Sequence, residues 1–130
     1  MKILHLKQAD FVTTTWSGGF TLTHPGKAPV VMAPLDPPYA FSGEEATHCV
    51  GQATDFNLML KGVQGQMQLS WGKMACAPGM HAFYAPQARQ YQVDGKVYPM
   101  APGELLVLFA DAPTTVDLGE GNSLACYAAI

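Results

Sequence analysis

Glycine and proline are spread along the whole chain and limit the length of any regular element. The sequence has 13 glycines and 10 prolines among its 130 residues. Both residues interrupt helices, because glycine leaves the backbone too free and proline removes a hydrogen-bond donor. The segments between them are short, and many are rich in β-branched and aromatic residues, which is typical of strands. The sequence therefore predicts an all-β protein built as a sandwich or barrel.

The predicted strands run from the first residues almost to the end of the chain. They cover residues 3–6, 11–16, 19–23, 30–33, 39–42, 47–52, 55–61, 65–71, 80–85, 89–93, 96–100, 104–110, 114–118 and 124–129. No repeat, linker or low-complexity tract divides them. The length fits one domain, and we expect residues 1–130 to form a single domain.

Two local predictions are the clearest. The pair Asp94-Gly95 is typical of a two-residue hairpin turn, because both residues tolerate the positive φ that such a turn requires. That turn places Tyr91 opposite Tyr98, and an aromatic cross-strand pair supports the register. Farther along, the run Leu105–Phe109 is apolar on both faces and predicts a central, buried strand.

Composition excludes several classes of protein. Hydrophobic residues make up 48% of the chain, which argues against disorder. The net charge is −3, and the seven Lys and Arg residues form no cluster, so we expect no nucleic-acid partner. Charged residues are only 13%, about half the usual share. Such a surface favours self-association, and we expect a homodimer.

Neither a signal peptide nor an apolar run long enough to span a membrane is visible in the sequence. The cysteines are Cys49, Cys76 and Cys126, an odd number with no close pair. They predict small buried residues rather than a disulfide framework. We therefore expect a cytoplasmic protein without a membrane partner.

The histidines do not form a metal-binding motif. His5, His24, His48 and His81 are at least 19 positions apart, and no His-x-His pair exists. A mononuclear metal site needs clustered ligands, so we expect no bound metal and no cofactor. The alternative is a site that two of these histidines form with Glu44 or Glu45 through long-range contacts.

The segment around Asp55 is the candidate ligand site. On a strand, Asp55 and Asn57 share one face, and Phe56 and Leu58 share the other. A carboxylate and an amide on one face can contact the same small molecule. The alternative is that Asp55 and Asn57 lie on a solvated face while Phe56 and Leu58 pack in the core.

Four motifs in sequence order resemble the HutD/Ves family of cupin-like proteins. They are Trp16–Thr21, Phe41–Glu44, Asp55–Met59 and Pro102–Leu106. The resemblance implies a single cupin-like (RmlC-like) jelly-roll barrel of two antiparallel sheets. On these motifs, the predicted ligand-binding residues are Trp16, Thr21, Asp55 and Asn57.

The chain also departs from the family pattern. Ser17 and Thr23 stand where the family has Asn and Glu, and no Phe-Ser-x-Phe-Pro-Gly stretch with an Arg occurs in the first half. This predicts a shortened relative with one barrel in place of two.

The resemblance implies metal-independent binding of a small polar metabolite. It also implies an accessory or regulatory role in metabolism, linked to histidine utilisation. One alternative is a metal-free sugar isomerase or epimerase that uses His81 or His48 with Asp55. Another is a non-catalytic structural or interaction module. A cavity lined by Asp55, Asn57 and Trp16 would favour the first function, and a His–carboxylate pair inside it would favour the enzyme.

Overall fold

A computed structural model describes residues 1–7, 20–33, 35–42, 44–51 and 56–130. These residues form strands joined by turns and loops, and none of them is helical. The twelve strands are β1 (Lys2–Leu6), β2 (Phe20–Thr23), β3 (Val30–Met32), β4 (His48–Gly51), β5 (Gly65–Ser70), β6 (Lys73–Cys76), β7 (Gly79–Ala85), β8 (Arg89–Val93), β9 (Lys96–Met100), β10 (Glu104–Ala110), β11 (Thr114–Asp117) and β12 (Ser123–Ala128). The described part of the chain contains no helix long and apolar enough to cross a bilayer.

The chain divides into two compact units. The larger comprises Met1–Val12 and Leu60–Ile130, and the smaller comprises Thr13–Met59. In the larger unit, one sheet has the strand order β1-β10-β7-β12-β5 and the other has the order β6-β11-β8-β9. Every pairing is antiparallel. The all-β, antiparallel prediction is confirmed, although these sheets do not close into a barrel.

Both sheets of the larger unit contribute to one hydrophobic core. From the five-stranded sheet come Phe83, Leu106 and Leu108, and from the four-stranded sheet come Tyr91 and Val116, all 0% exposed. Leu106 and Leu108 lie on β10, which pairs with β1 on one side and β7 on the other. The predicted position of the run Leu105–Phe109 inside a sheet is therefore confirmed.

The predicted hairpin is present. Strands β8 and β9 pair with Tyr91 opposite Tyr98, as the turn position requires. Asp94 and Gly95 have φ values of 49° and 77°, the left-handed region that the primed hairpin turns use. Local turn chemistry thus determines the register of this pair of strands.

The smaller unit contains a sheet that the two-sheet prediction omitted. Its strand order is β3-β2-β4, and its pairings are antiparallel. The two-sheet count therefore holds for the larger unit alone. Strand order and pairing depend on which strands form hydrogen bonds with each other, and the periodicity of the sequence does not specify this.

Two predicted strands of the smaller unit are wrong. Residues 39–42 and 56–60 lie outside every strand. In the second segment Phe56 and Leu58 are half-buried, whereas Asn57 and Met59 are exposed. The predicted alternation of environment is thus present without strand pairing, because a strand also needs a hydrogen-bonded neighbour. The predicted strand at residues 11–16 lies outside the described residues.

Candidate functional site

The larger unit contains a cavity of about 200 Å³ at the five-stranded sheet and β6. Its polar and sulfur-containing lining residues are Gln66, Gln68, Met74, His81, Cys126 and Tyr127. The remaining lining residues are alanines. Among the described residues, the lining therefore includes no acidic residue, lysine or arginine.

Strand register builds the main wall of this cavity. Tyr127 of β12 lies opposite Gln66 of β5 on one side and opposite His81 of β7 on the other. Residues directly opposite each other on antiparallel strands point to the same face. The three side chains therefore form a row across the sheet. Gln68 lies on the same face as Gln66, two residues along β5.

His81 is held in one orientation. The residue is only 3% exposed, and its Nε2 lies 2.6 Å from the carbonyl oxygen of Ala77. Its ring stacks on Tyr127 at a centroid distance of 4.8 Å and on Phe83 at 6.2 Å. Its other nitrogen, Nδ1, is buried and has no hydrogen-bond partner among the described residues. A buried polar atom of this kind needs an explanation, since most such atoms are paired.

The loop between β6 and β7 is hydrogen-bonded to the side chains of this cavity wall. The Tyr127 hydroxyl donates a hydrogen bond to the carbonyl oxygen of Pro78 at 3.2 Å, next to the Ala77 carbonyl that accepts from His81. Gly79 has a φ of 137°, and a Cβ there would lie 2.8 Å from the Tyr127 ring and 2.9 Å from the Ala128 oxygen. Only glycine fits at this close approach.

The thiol of Cys126, next to Tyr127 on β12, is uncharged at neutral pH. Burial raises the pKa of Cys126 to about 11. This thiol is therefore neither a thiolate nucleophile nor a charged metal ligand near pH 7. In the described part of the chain, no group of three or more His, Cys, Asp or Glu residues could hold a metal ion. The cavity is suited to recognition by hydrogen bonds and stacking.

The residues predicted to bind a ligand belong to the smaller unit. Thr21 is half-buried on β2, opposite Val31 and Val50, and Asn57 is exposed in the segment 56–60. Trp16 and Asp55 lie outside the described residues. The cavity described above is lined by residues of the larger unit, so the site at Trp16, Thr21, Asp55 and Asn57 stays a prediction.

Sequence reasoning named His81 only as an alternative and missed Gln66, Gln68 and Tyr127. One signal was available, because Gln66 and Gln68 alternate with Met67 and Leu69 on a predicted strand. Their side chains had to share a face opposite the apolar one. Which residues lie across from them depends on long-range register, which the sequence pattern does not specify.

One His–carboxylate pair occurs elsewhere in the larger unit. His5 Nε2 lies 3.0 Å from Glu104 Oε1, which also accepts a hydrogen bond from the Ala101 N–H at 2.8 Å. The Ala101 N–H, assisted by His5, lowers the pKa of Glu104. The pair connects β1 to the turn before β10. Neither residue lines the cavity, so the pair does not provide the catalytic dyad expected for the enzyme alternative.

A second pair lies in the smaller unit. His24 is 2% exposed, and its Nδ1 is 3.3 Å from Thr47 Oγ1 and 3.4 Å from Glu45 Oε2. Lys27 donates a hydrogen bond of 2.8 Å to Glu45 Oε1, which lowers the pKa of Glu45 and raises that of Lys27. The Phe41 ring lies 5.0 Å from the His24 ring. His48, the other alternative base, is exposed on β4.

Comparison with known proteins supports the fold alone. No family model matches the chain, and no curated protein matches its sequence significantly. Among solved structures, the chain has an all-β fold similar to that of HutD from Pseudomonas fluorescens SBW25, solved in a formate condition. The TM-score is 0.75, the alignment covers 98% of each chain, and the sequences are 15% identical. The resemblance inferred from the four motifs is thus confirmed as a HutD-like fold.

Proposed function

We propose that this protein binds a small polar metabolite in the cavity beside His81, without a metal ion. The observation that supports this proposal is the environment of His81. It is 3% exposed, lines the cavity and has a buried Nδ1 without a hydrogen-bond partner among the described residues. A buried acceptor left unpaired costs about 1–3 kcal/mol, so a ligand that supplies a hydrogen-bond donor stabilises the folded state.

The size of the cavity limits the ligand. An engineered apolar cavity of about 150 Å³ holds benzene, and pockets for drug-sized molecules are about 300–1,000 Å³. The 200 Å³ cavity lies between these values and is nearer to the first. We therefore expect a molecule with a single small ring or a short chain.

The chemistry of the lining favours binding over metal-dependent catalysis. Gln66 and Gln68 offer amide donors and acceptors, and Tyr127 offers an aromatic ring. The lining has no carboxylate to act with His81 in proton transfer. The enzyme alternative would need Asp55, which lies outside the described residues, and the interaction-module alternative would leave the cavity unused.

The biological role is proposed from the fold. The likeness to HutD supports an accessory or regulatory protein of metabolism, linked to histidine utilisation. We also propose that the two sheets of the larger unit are a single cupin-like jelly roll. Exposed apolar side chains such as Val31, Val50 and Trp71 support a homodimer, and sedimentation that shows only monomer would contradict it. The free cysteines support a cytoplasmic location.

A ligand screen tests the proposed site against the sequence-predicted one. Small polar compounds are titrated into isotope-labelled protein, and resonance shifts identify binders. We expect a binder to shift resonances of Gln66, Gln68 and His81, and Gln66→Ala, at an exposed position, to weaken it. Asn57→Ala is the matched control and should leave binding unchanged. Binding that depends on Asn57 and is insensitive to Gln66 would place the ligand at the other site and refute this proposal.

A further inference from the structure

The proton on His81 restricts which ligands the cavity accepts, an inference that rests on the proposed function. A carbonyl oxygen only accepts hydrogen bonds, so the 2.6 Å contact with the Ala77 oxygen requires a proton on Nε2. A neutral imidazole has a single N–H. Nδ1 of His81 therefore carries a lone pair and no proton, and it can only accept a hydrogen bond.

No described residue pairs with Nδ1, so its hydrogen-bond donor comes from another part of the chain, from a water molecule or from a ligand that displaces that water. Nδ1 has almost no solvent-accessible surface, so a ligand reaches it only after a neighbouring side chain moves. Tyr127 is half-buried, lines the cavity and stacks on the His81 ring with an interplanar angle of 29°. We infer that a shift of this ring, which breaks the Tyr127–Pro78 hydrogen bond, gives a ligand access to the His81 ring.

The remaining lining defines the other properties of the ligand. None of the lining residues that the structure describes is a lysine, arginine, aspartate or glutamate, and the Cys126 thiol is uncharged at neutral pH. A charged ligand would lose its hydration there without gaining an opposite charge. Gln66 and Gln68 can bond an amide or a hydroxyl in either direction, so they select less strictly than Nδ1 does.

We propose that the ligand is a flat, uncharged ring compound whose N–H or O–H donates to His81 Nδ1. Its amide-like group hydrogen bonds with Gln66 or Gln68, and its ring stacks on Tyr127. Removing the donor while keeping the shape of the ring should remove most of the affinity.

Two compounds of nearly the same shape test this requirement. Pyrrole-2-carboxamide presents a ring N–H where furan-2-carboxamide presents a ring oxygen. We expect the pyrrole compound to bind at least about tenfold more tightly, because the furan oxygen would face the lone pair of Nδ1. The ¹⁵N spectrum of the ligand-free protein at pH 8 should show His81 protonated at Nε2 alone.

Two variants show whether His81 causes the difference in affinity between the two compounds. In His81→Phe the two compounds should bind equally, whereas in His48→Phe, at an exposed position, the preference for the pyrrole compound should persist. If His81→Phe does not fold, the ¹⁵N spectrum of the wild-type protein decides, and a proton on Nδ1 overturns the proposal.

The outcomes separate this inference from the proposed function. Equal affinity of the wild-type protein for the two compounds overturns the donor requirement and leaves the binding function standing. If neither compound binds while another compound shifts the cavity resonances, the proposed ligand class is wrong. If no compound of the screen shifts those resonances, the binding function itself is refuted.

Discussion

The two compact units each contain a buried histidine, and the surroundings of the two differ. His81, in the larger unit, contacts a backbone carbonyl and aromatic rings beside a cavity without charged residues. His24, in the smaller unit, has Glu45 and Thr47 at its Nδ1, and Glu45 is also bound by Lys27. Each has one buried ring nitrogen without a hydrogen-bond partner among the described residues, so neither burial nor an unpaired nitrogen alone defines the role of a histidine. We infer that the neighbouring charges and the adjacent space distinguish a histidine that serves folding from one that is available to a ligand.

The units also differ in what holds them together. The larger unit has a core of fully buried apolar side chains, including Phe83, Leu106 and Leu108. Among the residues of the smaller unit whose burial the structure describes, only His24 is buried. We infer that apolar packing stabilises the larger unit, and that the polar cluster of His24, Lys27, Glu45 and Thr47 contributes more of the stability of the smaller one.

The largest loss of stability is expected for a substitution in the core of the larger unit. Leu106→Ala should lower the free energy of unfolding by about 2–5 kcal/mol, because it leaves a cavity among residues that cannot fully collapse around it. Leu22→Ala, at a half-buried position on β2 of the smaller unit, is the matched control and should cost less than half as much. Chemical denaturation measures both. Equal losses of unfolding free energy would show that the two units are packed alike and would contradict the proposed difference between them.

A smaller effect is expected for the buried histidine of the smaller unit. His24→Phe keeps a ring beside Phe41 but removes the hydrogen bond between Nδ1 and Thr47 Oγ1 and the nearby Glu45 contact, and should cost about 1–3 kcal/mol. His48→Phe, exposed on β4, should change stability by less than about 0.5 kcal/mol. Hydrogen exchange should show the loss of protection in β2 and β4. If His24→Phe leaves the free energy of unfolding unchanged, the polar cluster contributes little to the stability of the smaller unit.

Acid should weaken the larger unit through Glu104. The pKa of its carboxyl lies below the ordinary value of 4.5, because the Ala101 N–H and His5 favour the ionised form. Its contribution to stability is therefore complete above that value and is lost as the pH falls through the lowered pKa. In Glu104→Gln, the free energy of unfolding should fall less steeply below pH 4.5, whereas exposed Glu44→Gln should behave as the wild-type protein does. Identical acid profiles for Glu104→Gln and the wild-type protein would contradict this role.

The smallest effect on stability is expected at the sequence-predicted ligand site. Asn57 is exposed and lies outside every strand, so Asn57→Ala should lower the free energy of unfolding by less than Phe56→Ala does. Phe56 is half-buried rather than buried, and Phe56→Ala should therefore cost less than the 3–5 kcal/mol typical of a fully buried phenylalanine. Thermal unfolding of the two variants checks both values. A loss at Asn57 as large as that at Phe56 would identify Asn57 as a structural residue.

Some errors of the sequence prediction have a common physical origin. Strand β6 (Lys73–Cys76) was missed, because four residues after Gly72 show too little alternation to be distinguished from a loop. Residues 39–42 and 56–60 were predicted as strands and are not, because suitable side chains do not guarantee a pairing partner. In each case the deciding interaction is a backbone hydrogen bond to a segment distant in sequence.

The sequence by itself determined the features that depend on neighbouring residues. Glycine and proline placement predicted short strands, Asp94-Gly95 determined a hairpin with its register, and the apolar run Leu105–Phe109 predicted a strand inside a sheet. These depend on backbone conformation and on burial of adjacent side chains, which a short segment already encodes.

Only the tertiary structure decided where the candidate site lies. Gln66, His81 and Tyr127 belong to three strands that are distant in sequence, and their shared wall exists because β12 pairs with both β5 and β7 in one register. A shift of that register by one residue would turn the side chains to opposite faces. The proton position on His81 likewise depends on where the Ala77 carbonyl lies. Long-range pairing and hydrogen-bond geometry of this kind leave no periodic signal in the sequence.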